Sequence, residues 1–398
     1  MQNNILVINC GSSSLKFSLI NPISGQVVIA GLAECLLSTE AFITIKKQAN
    51  KEKYALATPY DHQTAIKALV DYLTTHHLKE SVCAIGHRVV HGGEKYSQPT
   101  KITDDIKQSI EQLSQLAPLH NPANLQGITA TELVFENIPQ VAIFDTAFHQ
   151  TMPQKSYLYG LPFQLYQEHG IRKYGFHGTS HYFVSRAAAK LIDKPAQQCN
   201  FISAHLGNGC SVTAIKAGCS VDTSLGLTPL EGVMMGTRSG DIDPGVIFHL
   251  VDQLGYSLDE VNELLNKKSG LLGVSQLSND CRAIEEAAAN GNKQAILALD
   301  IFSYRIAKSI ASFSCNFTSL DGLIFTGGIG ENSNLIRSLI LSQLALLNFI
   351  EDSRANEAMR FGKSGCITKS NSTPCWVIPT NEEWVIAEQT FQLLNKEA

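Results

Sequence analysis

The sequence predicts an α/β protein of two or three units in which one hairpin pattern recurs, and three observations predict it. Strand-like apolar runs alternate with helical periodicity from one end to the other, the pattern of α/β architectures. At 398 residues the chain is long for one core, since a domain usually takes about 150. The third observation is an internal echo. The stretch Leu6-Val7-Ile8-Asn9-Cys10-Gly11-Ser12-Ser13-Ser14-Leu15 reads strand, polar turn, strand. Ile202-Ser203-Ala204-His205-Leu206-Gly207-Asn208-Gly209-Cys210-Ser211 repeats that grammar, with Gly11 opposite Gly207. Gly and Asn supply the positive φ that tight hairpin turns require.

In chain order, apolar runs place strands at residues 5–9, 15–20, 82–86, 140–144, 201–205, 211–215, 321–326 and 375–378. Helical periodicity covers 63–78, 180–192 and 294–313. In the last, Leu299, Phe302, Ile306, Ile310 and Phe313 recur at steps of three and four and mark one buried face. No low-complexity linker or charge block separates the elements, so domain boundaries have to come from motifs.

Hydrophobic content of 44% and charged content of 17% describe a globular chain with ample core. A formal net charge of -5 gives no long-range attraction to nucleic acid or anionic membrane. Neither partner is expected, and an anionic substrate must be captured by local Arg and Lys. Met1-Gln2-Asn3-Asn4 lacks the basic region of a secretory leader, and Ile5–Ile8 is too short for its apolar core. No run of about 20 apolar residues suits a bilayer. The ten cysteines are scattered with no C-x-x-C pair, which reads as reduced residues of a cytoplasmic protein.

Three polar turns follow apolar strands: Asn9–Ser14, His205–Cys210 and Thr326–Asn332. Gly- and Ser-rich turns let backbone N–H groups approach phosphate oxygens. The first adds the hydroxyls of Ser12 and Ser14 and, at Lys16, a cation for the outer phosphates. No G-x-x-x-x-G-K-[ST] occurs and no G-x-G-x-x-G follows a strand, so P-loop and dinucleotide folds are unsupported. Nucleotide binding is the reading the three turns favour together.

These turns sit within motifs that resemble the acetate kinase family. Asn9-Cys10-Gly11-Ser12-Ser13-Ser14-Leu15-Lys16 is similar to its N-terminal signature. Gly86–Glu94, Phe144–His149, Tyr174–His181, His205–Gly209, Gly236–Asp241, Phe325–Asn332 and Thr380–Glu383 match further motifs in the family's order. The resemblance spans nearly the whole chain. It implies the fold shared with sugar kinases and actin, two duplicated α/β domains closing over a nucleotide cleft. The expected division is 1–148 plus 381–398 for an N-terminal domain completed by a C-terminal helix, and 149–380 for the nucleotide domain.

The implied reaction is reversible transfer of the ATP γ-phosphoryl group to acetate, giving acetyl phosphate and ADP. Mg2+, or Mn2+, would assist it, and a homodimer is implied. Phosphoryl transfer asks mainly for positioning and positive charge. By resemblance, Arg88 holds the carboxylate, Arg238 braces the moving phosphoryl, and His177 donates a hydrogen bond to transition-state oxygens. Asp145 matches the family's catalytic aspartate. A small carboxylic acid ionises near pH ~4–5 and has no proton to lose at pH 7, so an orienting role is expected for Asp145. Asn9 and Glu382 match the metal positions, with adjacent Glu383 an alternative to Glu382. The nucleotide would meet His205, Leu206, Gly207, Asn208 and Gly209, then Asp280, Cys281 and Arg282, then Gly328, Ile329, Gly330, Glu331 and Asn332. Val90, Leu119, Phe176 and Pro229 would line the acyl pocket.

Rival readings have weaker footing. His177 and His181 stand four apart, as zinc ligands do on a helix, but the glutamate of H-E-x-x-H is missing. The pair His87 and His91 also lacks an acidic partner. His181 is expected in the first turn of a helix capped by Thr179 or Ser180. Propionate or butyrate kinase on the same fold is the close alternative. An actin-like ATP-binding switch is the distant one, and it has no need for Arg88, Asp145, His177 and Arg238.

Overall fold

The computed structural model describes residues 3–118 and 120–396. The chain divides into two compact units, residues 1–147 with 381–398, and residues 148–380. The first contains β1 (Asn4–Cys10), β2 (Leu15–Ile20), β3 (Val27–Glu34), β4 (Phe42–Lys47), β5 (Asn50–Ala55), β6 (Val82–Val89), β7 (Thr100–Lys101) and β8 (Gln140–Phe144). The second contains β9 (Asn200–Leu206), β10 (Cys210–Lys216), β11 (Cys219–Thr223), β12 (Gly322–Thr326), β13 (Gly365–Cys366) and β14 (Cys375–Val377).

The sheet orders are β5-β4-β3-β2-β1-β6-β8-β7 and β11-β10-β9-β12-β14-β13. Each has an antiparallel meander, β1-β2-β3 or β9-β10-β11, whose first strand then pairs in parallel with a later strand, β6 or β12. A further parallel strand follows, β8 or β14. The hairpin echo is thus one part of a duplicated sheet. The registers differ at one point: Cys10 faces Leu15 across Gly11–Ser14, whereas Leu206 faces Cys210 across Gly207–Gly209. Beyond the turn, Leu15 corresponds to Cys210, one residue off the ungapped echo. The third turn is different in kind. Gly327, at φ 77, swings the chain from β12 into a short helix, Gly327–Asn332, because β12 has parallel neighbours on both sides and no hairpin partner.

Burial explains the unbroken apolar runs. Leu6, Ile8 and Cys10 pack on one face of the first sheet with Leu69 and Leu73 of the helix His62–Thr75. Ile5 and Val7 pack on the other with Ile386 and Ala387 of the helix Glu382–Lys396. A strand covered on both faces needs apolar residues at every position. In the second unit, Lys293–Phe313 is helical behind an Asn292 cap, and Leu299, Phe302, Ile306 and Ile310 are its buried stripe. The helix Gly178–Leu191 starts earlier than expected. Its N-cap is His177 at φ 56, with Thr179 and Ser180 already inside the first turn. Gly178 is the first helical residue, so the interior penalty for glycine's backbone freedom does not apply in full there. Among the described residues, no helix is long and apolar enough to cross a membrane.

Candidate active site

In the first unit the parallel strands β1, β6 and β8 bring their carboxyl ends together, where ligands of open α/β sheets bind. Asn9 lies near the end of β1, Arg88 on β6, and Asp145 immediately after β8. The Arg88 guanidinium donates through Nη1 to Asn9 Oδ1 (3.3 Å) and through Nη2 to Asp145 Oδ2. Burial works against its charge, but the carboxylates of Asp145 and Glu382 outweigh that and raise its pKa. Glu382 opens the helix Glu382–Lys396. Burial raises the pKa of its carboxyl, Arg88 opposes the shift, and Asp145 adds to it. Asn9, Asp145 and Glu382 therefore form an oxygen-donor set around one guanidinium, with more negative charge than Arg88 alone neutralises. Such hard oxygen donors suit Mg2+, which keeps several waters when it also binds phosphates.

Glu383 faces elsewhere. It pairs with Lys16 Nζ (2.5 Å) and accepts from Ser18 Oγ (2.5 Å), tying the helix to β2. The Gly11–Ser14 turn is pinned by a bond from Gly11 N–H to the Ser14 carbonyl (2.8 Å) and by His62 Nε2 on the Gly11 carbonyl (2.7 Å). Ser12 is exposed and Ser14 half-buried. Buried Val90 donates its N–H to Asn124 Oδ1 (3.0 Å), while Asn124 Nδ2 donates to the Cys10 carbonyl (2.8 Å). Asn124 thus fixes β1 to the segment carrying Arg88 and Val90. Nothing local in the sequence marks it out. Leu119 lies outside the described residues.

In the second unit, His177 and Arg238 flank the Gly207–Gly209 turn. A Cβ at Gly209 would stand 3.5 Å from Arg238 Nη1 and from His177 Nε2. The His177 and His205 rings stack at 4.4 Å. His177 Nδ1 and His181 Nε2 both meet Ser211 Oγ, each at 2.8 Å, and His181 Nδ1 meets Ser203 Oγ at 2.5 Å. These hydroxyl partners explain the four-residue spacing without a metal. In the first unit His87 Nε2 meets Gln140 Oε1 (2.6 Å), and among the described residues no cluster of three His, Cys, Asp or Glu could hold an ion. Burial, reinforced by His149 and His205, drives the His181 pKa well below its usual value. Ser180 Oγ meets His205 Nδ1 (2.8 Å), and His149 Nε2 donates to the carbonyl of buried Phe176 (2.9 Å).

Arg238 donates from Nη1 to the Pro229 carbonyl (3.2 Å) and contacts Met235 Sδ (3.8 Å). Among the described residues no carboxylate pairs with it, and burial lowers its pKa. Its loop abuts the second turn. Gly236 N–H donates to the Asn208 carbonyl (3.0 Å), and a Cβ at Gly236 would lie only 2.0 Å from Asn208 Oδ1. A side chain there would displace the Asn208 amide and crowd its backbone.

Beside this turn opens a cavity of about 770 Å3, of a size that holds small ligands. Gly207, Asn208, Asp280, Cys281, Arg282, Gly328, Ile329 and Asn332 line it. Asp280 caps the helix Cys281–Ala289 and grips Arg282 Nη2 (2.8 Å), while burial raises the Cys281 thiol pKa. His205, Leu206, Gly209, Gly330 and Glu331 are not on this wall. Leu206 and Gly330 are buried. Glu331 Oε1 instead accepts from the Gly327 N–H (3.0 Å) and the Thr380 N–H (3.1 Å), bracing the helical turn from behind. Residues that motif reading passed over also line the wall: Asn279, Glu285, Ser333, Arg360 and Phe361.

Comparison with known proteins agrees with this geometry. The family model described as the acetokinase family matches residues 4–388. An acetate kinase of Shewanella sp. (strain W3-18-1) is 56% identical over 395 residues, 99% of each chain. A propionate kinase structure from Francisella tularensis superposes with a TM-score of 0.94 at 47% identity, covering 98% of this chain and 99% of that one. The Porphyromonas gingivalis acetate kinase structure gives 0.94 at 42% identity, covering 98% and 100%. With the match running through every site motif, the chain belongs to the acetokinase family.

Proposed function

We infer that this chain is an ATP-dependent acetate kinase that transfers the γ-phosphoryl group in line to acetate, reversibly, giving acetyl phosphate and ADP. The observation that carries the reading is Arg238: a guanidinium that among the described residues has no carboxylate partner, beside His177 and the Gly207–Gly209 turn. A cation left without a counter-ion in a half-buried wall suits a ligand that brings negative charge. Arg88 serves the acid. Asp145 holds Nη2 and Asn9 holds Nη1, leaving Nε and the second proton of each Nη for a carboxylate. Acetate reaches the site already ionised, so Asp145 orients and balances charge and does not take a proton.

His177 acts as a hydrogen-bond donor. With His181 neutral, two proton orders satisfy the chain, and the one that lets His177 act as a donor runs from Ser203 to His181 Nδ1, from His181 Nε2–H to Ser211, and from Ser211 to His177 Nδ1. That order puts the His177 proton on Nε2, the nitrogen beside Gly209. Asn9 and Glu382 would hold Mg2+, or Mn2+, directly or through water, and the ion would neutralise phosphate charge. The first unit would carry acid and metal, the second the nucleotide.

The helix Gly245–Asp252 has no buried residue, and Phe248, Leu254 and Leu258 are more than half exposed around it. This apolar surface suits a second copy in a homodimer, which sedimentation will test. Ten free thiols suit a reducing cytoplasm. No nucleic-acid or membrane partner is proposed. Val90, Phe176 and Pro229 would meet the acyl methyl. One methylene in such a pocket is worth about 1–3 kcal/mol, so propionate would be a poorer substrate. The test is ATP-dependent hydroxamate formation with acetate, propionate and butyrate. Acetate is expected to lead. A higher rate with a longer acid would reassign the chain to the neighbouring acyl kinases, and ATP binding without any acyl phosphate would leave an actin-like switch.

A further inference from the structure

We propose that Phe361 is the base-stacking residue of the nucleotide cavity, taking the flat face of a purine. This rests on the reading of the cavity as an ATP site and names a contact on its wall that the motifs do not contain.

Phe361 is placed at a cost the fold does not need for its own sake. It is 79% exposed, and its φ of 55 is followed by 83 at Gly362. Lys363 N–H donates to the Arg360 carbonyl (3.2 Å), so Arg360–Lys363 is a tight turn with both central residues left-handed. Such turns favour Asn or Gly at the first central position, and a bulky residue there is strained. Asn would relieve the strain and remove an apolar ring from water. The ring's position on the cavity wall is what the arrangement secures.

The turn is also tied to the short helix Gly327–Asn332 rather than left to swing. Asn332 Oδ1 accepts from the Phe361 N–H (2.9 Å) while Asn332 Nδ2 donates to the Gly328 carbonyl (2.9 Å). Arg337, fully buried, donates to the Gly330 carbonyl (2.8 Å), the Asn356 carbonyl (2.7 Å) and the Met359 carbonyl (3.0 Å). Two residues thus lock the segment bearing Phe361 to the same helix whose Gly328 and Ile329 line the cavity. The Arg360 guanidinium lies 5.0 Å from the Phe361 ring centroid and props one side of it. Its buried Nε has no hydrogen-bond partner. Aromatic rings in such positions stack on bases with little regard to sequence of donors and acceptors.

The deciding variant is Phe361→Asn, which suits the turn and therefore keeps the fold. We expect its KM for ATP to rise about 5- to 20-fold, the range base stacking supports. Its KM for acetate and its kcat at saturating ATP should stay within about twofold, and its thermal midpoint should hold or rise. In Phe361→Trp, ADP should quench the added fluorescence relative to wild type and pyrophosphate should not. An unchanged KM for ATP in Phe361→Asn overturns the proposal, as does equal quenching by ADP and pyrophosphate. If wild type makes no acyl phosphate, the parent reading fails. The tryptophan readout still decides whether a base docks on residue 361.

Discussion

Around the Gly11–Ser14 turn stand Arg88, Lys16, Asp145, Glu382 and Glu383; around Gly207–Gly209 stand His149, His177, His181 and His205 with Ser180, Ser203, Ser211 and Ser220. The sheets beneath share a meander and the parallel strands that follow it, within eight strands in one unit and six in the other. One copy gathers full charges of both signs, three carboxylates to two cations, and the other keeps a hydrogen-bonded network of imidazoles and hydroxyls beside Arg238, which among the described residues has no carboxylate partner. The difference teaches how one fold serves two tasks. A cluster of full charges can accept a metal and an anion by exchanging partners. A network of imidazoles and hydroxyls instead holds donors and acceptors at fixed positions.

The sharpest way to break this contrast is Arg238→Lys. An ammonium keeps the charge but not the planar fork, and kcat should fall about 10²- to 10³-fold, as for loss of a transition-state donor. KM for ATP should move much less. Near-normal turnover would mean that charge alone suffices in the second copy. Next in size is Asp145→Asn, which removes a charge from the first copy without changing shape. We expect about a 10²-fold loss in kcat with no limb of the pH–rate profile removed. A wild-type limb that vanishes in the variant and tracks the pKa of the acyl acid would make Asp145 a proton carrier. Ser211→Ala, in the second copy, should cost about tenfold in kcat, one hydrogen bond's worth, with KM for ATP within about twofold. A silent Ser211→Ala would remove the proposed proton order.

The smallest effect is on stability. Burial lowers the pKa of His181, and takes His87 and His91 in the first unit to about 4. Below pH ~6.5 the unfolded chain binds these protons and the folded chain does not. Stability is therefore full above that pH and declines as pH falls toward 4, by up to about 1.4 kcal/mol per pH unit for each histidine. Urea midpoints at pH 7, 6 and 5 will check it, and a midpoint that rises on acidification refutes it.

Much of the fold was legible because both central strands are covered on two faces, which writes continuous apolar runs into the sequence. The motifs also led to Asn9, Arg88, Asp145, His177 and Arg238, whose surroundings are now described. What stayed hidden depended on contacts between distant segments. Asn124 is an ordinary helical residue until β1 and the Val90 backbone both arrive at it. Phe361 reads as a loop residue until Arg337 and Asn332 draw its turn to the cavity. Glu331 sits in a nucleotide motif, yet its carboxylate turns backward, a direction no spacing encodes. The cap of the helix after His177 was misassigned to Thr179 or Ser180 because propensity favours a hydroxyl there, whereas His177 adopts the left-handed backbone itself.

The helix Glu382–Lys396, which covers one face of the first sheet, has a consequence for synthesis. Ile5, Val7, Ala84, Val141 and Ile143 have their apolar cover only once Ile386 and Ala387 have been made. Domains tend to fold in the order they emerge from the ribosome, yet here strands made early wait for residues made much later. The same segment brings Glu382. A chain interrupted before residue 382 therefore lacks, together, the seal on this sheet and the carboxylate beside Arg88. Loss of cover and loss of that carboxylate become one event.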